Sequence, residues 1–169
     1  MEKEIINRVA NNKNLITFDL EEYYPEGKRV LFDIKDWLYE GIILKEKDFR
    51  QYVAEHNWNQ YQDMYVALHC SSDAIIPGWA YLLLTSSLLP FAKQVTVGSL
   101  DNLETILYTQ IINDLDISTY QDKLIIIKGC SNKPVPESAY IALIQKIQPI
   151  AKSIMYGEAC SAVPLFKKK

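Results

Sequence analysis

Residues Tyr61–Gly98, "YQDMYVALHCSSDAIIPGWAYLLLTSSLLPFAKQVTVG", and Tyr120–Gly157, "YQDKLIIIKGCSNKPVPESAYIALIQKIQPIAKSIMYG", read as two copies of one unit. From Pro77–Gly98 against Pro136–Gly157 no gap is needed, and eight of the 22 positions are identical (Pro, Ala, Tyr, Leu, Pro, Ala, Lys and Gly). Each copy opens with an apolar, β-branched run, "MYVALHC" or "KLIIIKGC", of the length and composition of a buried strand. A serine-containing loop follows. Pro77 or Pro136 then stands where a helix begins, because a missing N–H costs nothing in the first turn. In "PESAYIALIQKIQ" the apolar residues Ala139, Tyr140, Leu143, Ile144 and Ile147 fall on one helical face. Pro90 and Pro149 occupy matching places and end or kink the helix, and "QVTVG" or "SIMYG" closes the unit as a strand.

Between the copies, "LDNLETILYTQIINDL" predicts a further amphipathic helix, capped by Asp101 or Asn102. From Met64 onward the order is therefore β-α-β-α-β-α-β. Strands alternating with helices imply parallel pairing through right-handed crossovers. Residues 1–60 are less regular. "NLITFDL" and "KRVLFDI" read as strands separated by an "EEYYPEG" turn, "EKDFRQYVAEH" as a helix, and "MEKEIINRVANNKN" as a short polar helix. "DWLYEGIIL" either extends the second strand or forms its own. The expectation is one α/β domain over residues 1–169, with a mostly parallel sheet flanked by helices and the duplicated strand-loop-helix-strand unit at 61–98 and 120–157.

Composition narrows the function classes. At 169 residues and 49% hydrophobic content the chain is long enough for a substantial core. A net charge of −3 leaves no electrostatic footprint for nucleic acid, and the basic run Lys167–Lys169 reads as a solvated tail. Ala74–Ala92 carries no charge and approaches the length of a membrane span. Its two prolines, and the charged second copy, mark it instead as a buried helix. No secretory leader pattern opens the sequence, and an odd count of three cysteines points to reduced thiols in the cytoplasm.

Those cysteines share a local wording. Cys70, Cys130 and Cys160 are each followed by serine, and each falls at or just beyond the end of an expected strand. In one parallel sheet all strands end on one edge, where open α/β folds bind ligands, so the three thiols are expected on one rim. Thiolates suit zinc and iron–sulfur clusters, and Asp73, Glu158 or, less readily, His69 completes the set. The competing reading is that the cysteines simply pack as small apolar residues. A third reading is thiol chemistry at a helix N-terminus. "HCSSDAII" lacks the arginine of a cysteine phosphatase loop, with Ile76 in its place, and His56 reads as a surface residue rather than a partner base.

Ser71, Ser131 and Asn132 stand where helix-start N–H groups would cradle a phosphate or carboxylate, unless they only cap helices. The absence of a Gly-rich phosphate fingerprint argues against a nucleotide. The acids Asp19, Glu21, Glu22, Asp33 and Asp36 read as a solvated loop face. Tyr23, Tyr24 and Trp37 form either a contact surface or satellite packing.

With these residues in view, the chain resembles the bacterial domain-of-unknown-function family 2480. The resemblance runs over nearly the full length, through "NRVANN", "LITFDLEEYYPEGKRVLFDIKDWL", "KEKDFR", "CSSDAIIPGWAY", "KGCSNKPVPESAY" and "SIMYGEACSAVPL". It supplies no catalytic positions. It implies iron–sulfur assembly proteins as partners, and with the cysteines it leads to an expected zinc or iron–sulfur binding accessory or sensing protein. The alternative is a non-catalytic protein-interaction module with packed cysteines. The oligomeric state is left open by the sequence; an exposed sheet edge or the Tyr23, Tyr24 and Trp37 surface could support a homodimer.

Overall fold

The structure, a computed structural model, describes residues 14–129, 132–158 and 161–169. In chain order the elements are β1 (Leu15–Phe18), β2 (Arg29–Asp33), α1 (Glu46–Glu55), β3 (Tyr65–His69), α2 (Gly78–Leu88), β4 (Gln94–Val97), α3 (Leu100–Asp114), β5 (Leu124–Ile127), α4 (Glu137–Ile147), β6 (Ser153–Tyr156) and β7 (Val163–Lys167). Single 3-10 turns lie at Leu20–Tyr23, Ile34–Trp37, Trp58–Tyr61 and Ser118–Tyr120. The fold is α/β, as expected. The chain forms two compact units: Pro25–Ile106 is a continuous unit, and Met1–Tyr24 with Leu107–Lys169 make a discontinuous one.

In the continuous unit β2, β3 and β4 form a three-stranded parallel sheet with β3 at its centre. A central strand is covered on both faces, which is why "YVALH" is apolar almost throughout, and Val66, Ala67 and Leu68 are fully buried. Helix α2 crosses from β3 to β4 and turns Ala80, Leu84 and Leu88, spaced by four, into a core with Phe32, Ile34, Phe49 and Val66. Pro77 is its N-cap residue, and Pro90 follows its last turn.

In the discontinuous unit the sheet order is β1-β5-β6-β7. The first three strands are parallel; β7 returns antiparallel along β6. Phe18, Ile125, Ile127 and Ile154 pack with Ala139, Leu143 and Ile147 of α4. The buried Tyr108 donates its hydroxyl to the Leu20 carbonyl at 3.0 Å.

Matched sequence positions take matched local geometry. Asp63 and Asp122 have φ of 58° and 55°, Gly98 and Gly157 have φ of 125° and 120°, and Pro77 and Pro136 are both N-cap residues.

Several local expectations change. The strands form two sheets rather than one. "DWLYEGIIL" neither extends β2 nor makes a strand: it passes through a 3-10 turn and closes on an isolated antiparallel bridge, Tyr39 to Ile43. Glu40 and Gly41 turn that corner with positive φ. The 3-10 turn Leu20–Tyr23 occupies part of the expected "EEYYPEG" turn. Helix α3 is capped by Ser99 rather than by Asp101 or Asn102. Asn102 accepts the Ser99 N–H at 2.9 Å while Ser99 Oγ accepts the Asn102 N–H at 3.2 Å, a reciprocal cap. The basic C-terminal run is partly structural, since Lys167 closes β7 and Lys168 pairs with Asp122 at 3.1 Å. The expected first helix lies outside the described residues. Among the described residues no helix is long and apolar enough to cross a membrane.

Candidate functional site

Among the described residues, Cys70, Ser71 and Asp73 follow β3 in the continuous unit, and Asn132 and Glu158 follow β5 and β6 in the discontinuous one. In the continuous unit Asp33 and His69 sit side by side in register at the ends of β2 and β3. Asp33 caps the turn that follows it by accepting the Lys35 N–H at 3.0 Å. The same oxygen, Oδ1, also accepts the Ser71 N–H at 3.0 Å, across two strands of the sheet. One carboxylate thus bends its own chain and pins the loop that carries Cys70. Burial pushes the Asp33 carboxyl up, but the bonds from Ser71 and Lys35 and the nearby His69 outweigh it and leave the group below the usual carboxylate range.

Cys70 is half-buried against the unit's core, with Sγ 3.4 Å from Ser72 Oγ. Asp73 is exposed. Asp73 borders an open hollow of about 610 Å³ whose walls are Ile42, Ile43, Leu44, Ala74 and Ile75.

The discontinuous unit repeats the device with different atoms. Asp19, just past β1, accepts the Glu21 N–H at 2.9 Å and pairs with Lys128 Nζ at 2.7 Å. Glu21 Oε2 accepts the Asn132 N–H at 3.0 Å. Glu158 is exposed, and its carbonyl accepts the Ser161 N–H at 2.9 Å. Beside these strand ends α4, β5, β6 and β7 border a mainly apolar groove of about 240 Å³, lined by Ile127, Tyr140, Ile141, Ile144, Gln145, Tyr156 and Leu165. A bulge in β7 supplies one wall. Ile154 pairs with Phe166 and Met155 with Pro164, so Leu165 is the extra residue.

These positions revise the reading of the cysteines. The strand that ends before Cys70 lies in the three-stranded sheet, whereas the strands before Cys130 and Cys160 lie in the other, so the three do not follow strands of one sheet. Cys130, Ser131 and Cys160 themselves fall outside the described residues. Cys70 and Ser71 are not at a helix start: α2 begins only at Gly78, beyond the reach of the helix dipole, which fades within a turn. The N–H groups of Ser71 and Asn132 are already given to Asp33 and Glu21 and are not open to an anion. Among the described residues no three His, Cys, Asp or Glu side chains gather to hold a metal.

The acidic loop face resolves into two kinds of residue. Glu22 and Asp36 are exposed, but Asp19, Glu21 and Asp33 are structural acceptors. Their signal in the sequence was the paired phrase "FDLEEY" and "FDIKDW", in which an aspartate directly follows a strand. The aromatics pack. Tyr23 stacks on Phe18 at 5.3 Å, and Trp37 meets Phe32 at 5.0 Å and Phe49 at 5.6 Å. Burial, then the bond with Tyr23, pushes the Tyr120 phenol up to about 12, which keeps it protonated at neutral pH.

A family model described as "Protein of unknown function (DUF2480)" matches residues 3–168, and the chain belongs to that family. No curated protein matches the chain. No solved structure matches it either.

Proposed function

We propose that the chain is an interaction module that works by binding, with the α4–β7 groove receiving an apolar side chain from a partner protein. The groove carries this reading. At about 240 Å³ it is smaller than the roughly 300–1,000 Å³ of small-molecule sites. No charged side chain lines it, and exposed aliphatics flank it: Ile141 is 61% and Leu165 53% exposed. An apolar pocket flanked by exposed aliphatics is the form taken by the anchoring centre of a protein interface. A photo-crosslinking residue at Ile141, compared with one at the exposed Lys47, tests it in cells. An adduct formed at 141 and absent in a Leu165→Glu background supports the groove; equal adducts at both positions overturn it.

A second reading, a zinc or iron–sulfur accessory or sensing protein, has one observation in its favour. β5 and β6 are paired neighbours, with Ile127 opposite Tyr156, and they lead into the segments that carry Cys130 and Cys160, with Glu158 on the second. In that reading Cys130, Cys160 and Glu158 supply ligands, and iron–sulfur assembly proteins are the partners. Both readings place the chain in the cytoplasm with reduced thiols. Metal and acid-labile sulfide analysis of anaerobically purified protein, beside Cys130→Ser, separates them: bound metal lost in the variant establishes the second.

A further inference from the structure

His56, the C-cap residue of α1, lies among four aromatic rings, its centroid 4.7 Å from Trp58, 5.1 Å from Trp37, 5.7 Å from Tyr61 and 5.8 Å from Phe32. Its Nε2 is 3.0 Å from the Tyr61 hydroxyl and 3.2 Å from Gln60 Nε2. The orientation of the Gln60 amide follows from a third contact. Gln60 Nε2 lies 2.8 Å from the Asn57 carbonyl oxygen, where an amide oxygen would meet another acceptor. The amide nitrogen therefore faces His56 as a donor. His56 Nε2 must carry its lone pair there, with the ring proton on Nδ1, and the Tyr61 O–H and Gln60 N–H converge on it. The adjoining Trp58 donates its indole N–H to the Val53 carbonyl at 2.8 Å. These bonds tie the last turn of α1 to the Trp58–Tyr61 turn.

A proton on Nε2 would confront the Gln60 N–H and force the Tyr61 hydroxyl to reverse its bond. We infer that His56 is a proton-operated latch: the neutral imidazole holds α1 to the Trp58–Tyr61 turn, and protonation releases the hold and rearranges the surrounding tryptophans.

The groups facing the ring fit this role. Its titratable neighbour is the Tyr61 phenol, which burial pushes up and so keeps protonated. The charged residues of the packed elements point to solvent: Lys35 and Asp36 on the Ile34–Trp37 turn, and Arg50 and Glu55 on α1. Arg50 is engaged by Glu46 at 2.9 Å and Glu55 by Gln51 at 2.8 Å. Indole faces attract an imidazolium, yet burial dominates and pushes the His56 imidazole down.

The sequence holds two histidines, His56 and His69, so both can be followed by proton NMR in the full chain while tryptophan emission is recorded from about pH 8 to about pH 4.5. The expected result is an emission change that tracks the His56 resonance, with a midpoint below the ordinary value of about 6.5 and far-UV circular dichroism unchanged. His56→Phe should abolish that change, and Gln60→Leu, which removes the opposing donor but leaves the ring, should move its midpoint upward. A flat emission through the His56 titration, loss of secondary structure at the same midpoint, or the same transition in His56→Phe overturns the latch. If His56→Phe does not fold, an unmoved midpoint in Gln60→Leu overturns it alone.

Discussion

The Asp33 carboxylate accepts the Ser71 N–H at 3.0 Å, although 38 residues separate the two. Asp33 ends β2 and Ser71 follows β3, so this bond crosses a parallel strand pair at its carboxyl end and fixes the path of the loop through Cys70. Glu21 and Asn132 make the equivalent bond in the other unit, at 3.0 Å. In both, a side-chain oxygen takes an N–H that a bound anion would otherwise have found.

Replacing Asp33 with alanine removes both bonds to its Oδ1, from Lys35 and Ser71. The cap and the cross-strand bond together should cost about 1–3 kcal/mol in urea denaturation. The consequence for Cys70 is more specific. Released from its pin, the thiol should alkylate several-fold faster, read by mass spectrometry of the Cys70 peptide. Asp33→Asn keeps an acceptor oxygen and should fall between wild type and alanine; an alkylation rate unchanged in Asp33→Ala would show that core packing alone holds the loop.

The same carboxylate sets a pH dependence. Burial raises its pKa, but the bonds from Ser71 and Lys35 and the proximity of His69 bring the folded value below the ordinary one. A group with a lowered folded pKa stabilises the native state above its unfolded value of about 3.9, and that contribution disappears as pH falls through the folded value. The gap in denaturation midpoint between wild type and Asp33→Asn should therefore be present at neutral pH and close below about pH 4. A gap that persists at lower pH would assign the effect to shape rather than charge.

Much of this architecture is written in local patterns. Ala80, Leu84 and Leu88 announce the buried face of α2, and the apolar "LIII" announces a strand covered on both faces. Pro77 and Pro136 mark two helix starts to within one residue, each standing as the N-cap just before the helix. What the patterns did not carry was partnership. Strands β3 and β5 look alike in sequence, yet β3 pairs with β2 and β4 while β5 pairs with β1 and β6. Apolar period says which face is buried and nothing about which neighbour buries it, so one sheet is expected where two exist. β7 escaped notice because Pro164 lies inside it and its neighbours are exposed, features that edge strands tolerate and central strands do not. The roles of Asp33 and Glu21 were missed because acids in loops are usually solvated, and only the fold reveals the N–H groups they meet.

Thr96, in the middle of β4, is 7% exposed, and its Oγ1 has no hydrogen-bond partner among the described residues. A buried hydroxyl without a partner keeps its desolvation cost. Thr96→Val conserves shape and strand preference while removing that cost, and should stabilise the protein by about 1 kcal/mol in urea denaturation. A loss of similar size would mean that an ordered water satisfies the hydroxyl.

Arg29 and Glu104 form a nearly buried ion pair inside the continuous unit, with side chains 11% and 7% exposed and Nε 2.6 Å from Oε1. A second contact, from the other guanidinium arm to Oε2, is 3.3 Å, and Arg29 also donates to the Pro25 and Gly27 carbonyls at 2.6 Å. The guanidinium carbon lies 4.8 Å from the Tyr65 ring centroid. The pair thus ties the start of β2 to α3. Attraction within it is set against the cost of drying two charges, so the pair adds little over a well-packed apolar substitute, whereas removing one partner strands the other charge. Glu104→Ala should therefore cost about 3 kcal/mol, because the bidentate contacts to the guanidinium are lost from a site that stays nearly dry. Arg29→Met with Glu104→Leu should recover most of that loss, since both charges leave together. Chemical denaturation of Arg29→Met, Glu104→Leu and the double variant gives the coupling directly. A double variant as unstable as the sum of its singles would show that the two side chains act independently.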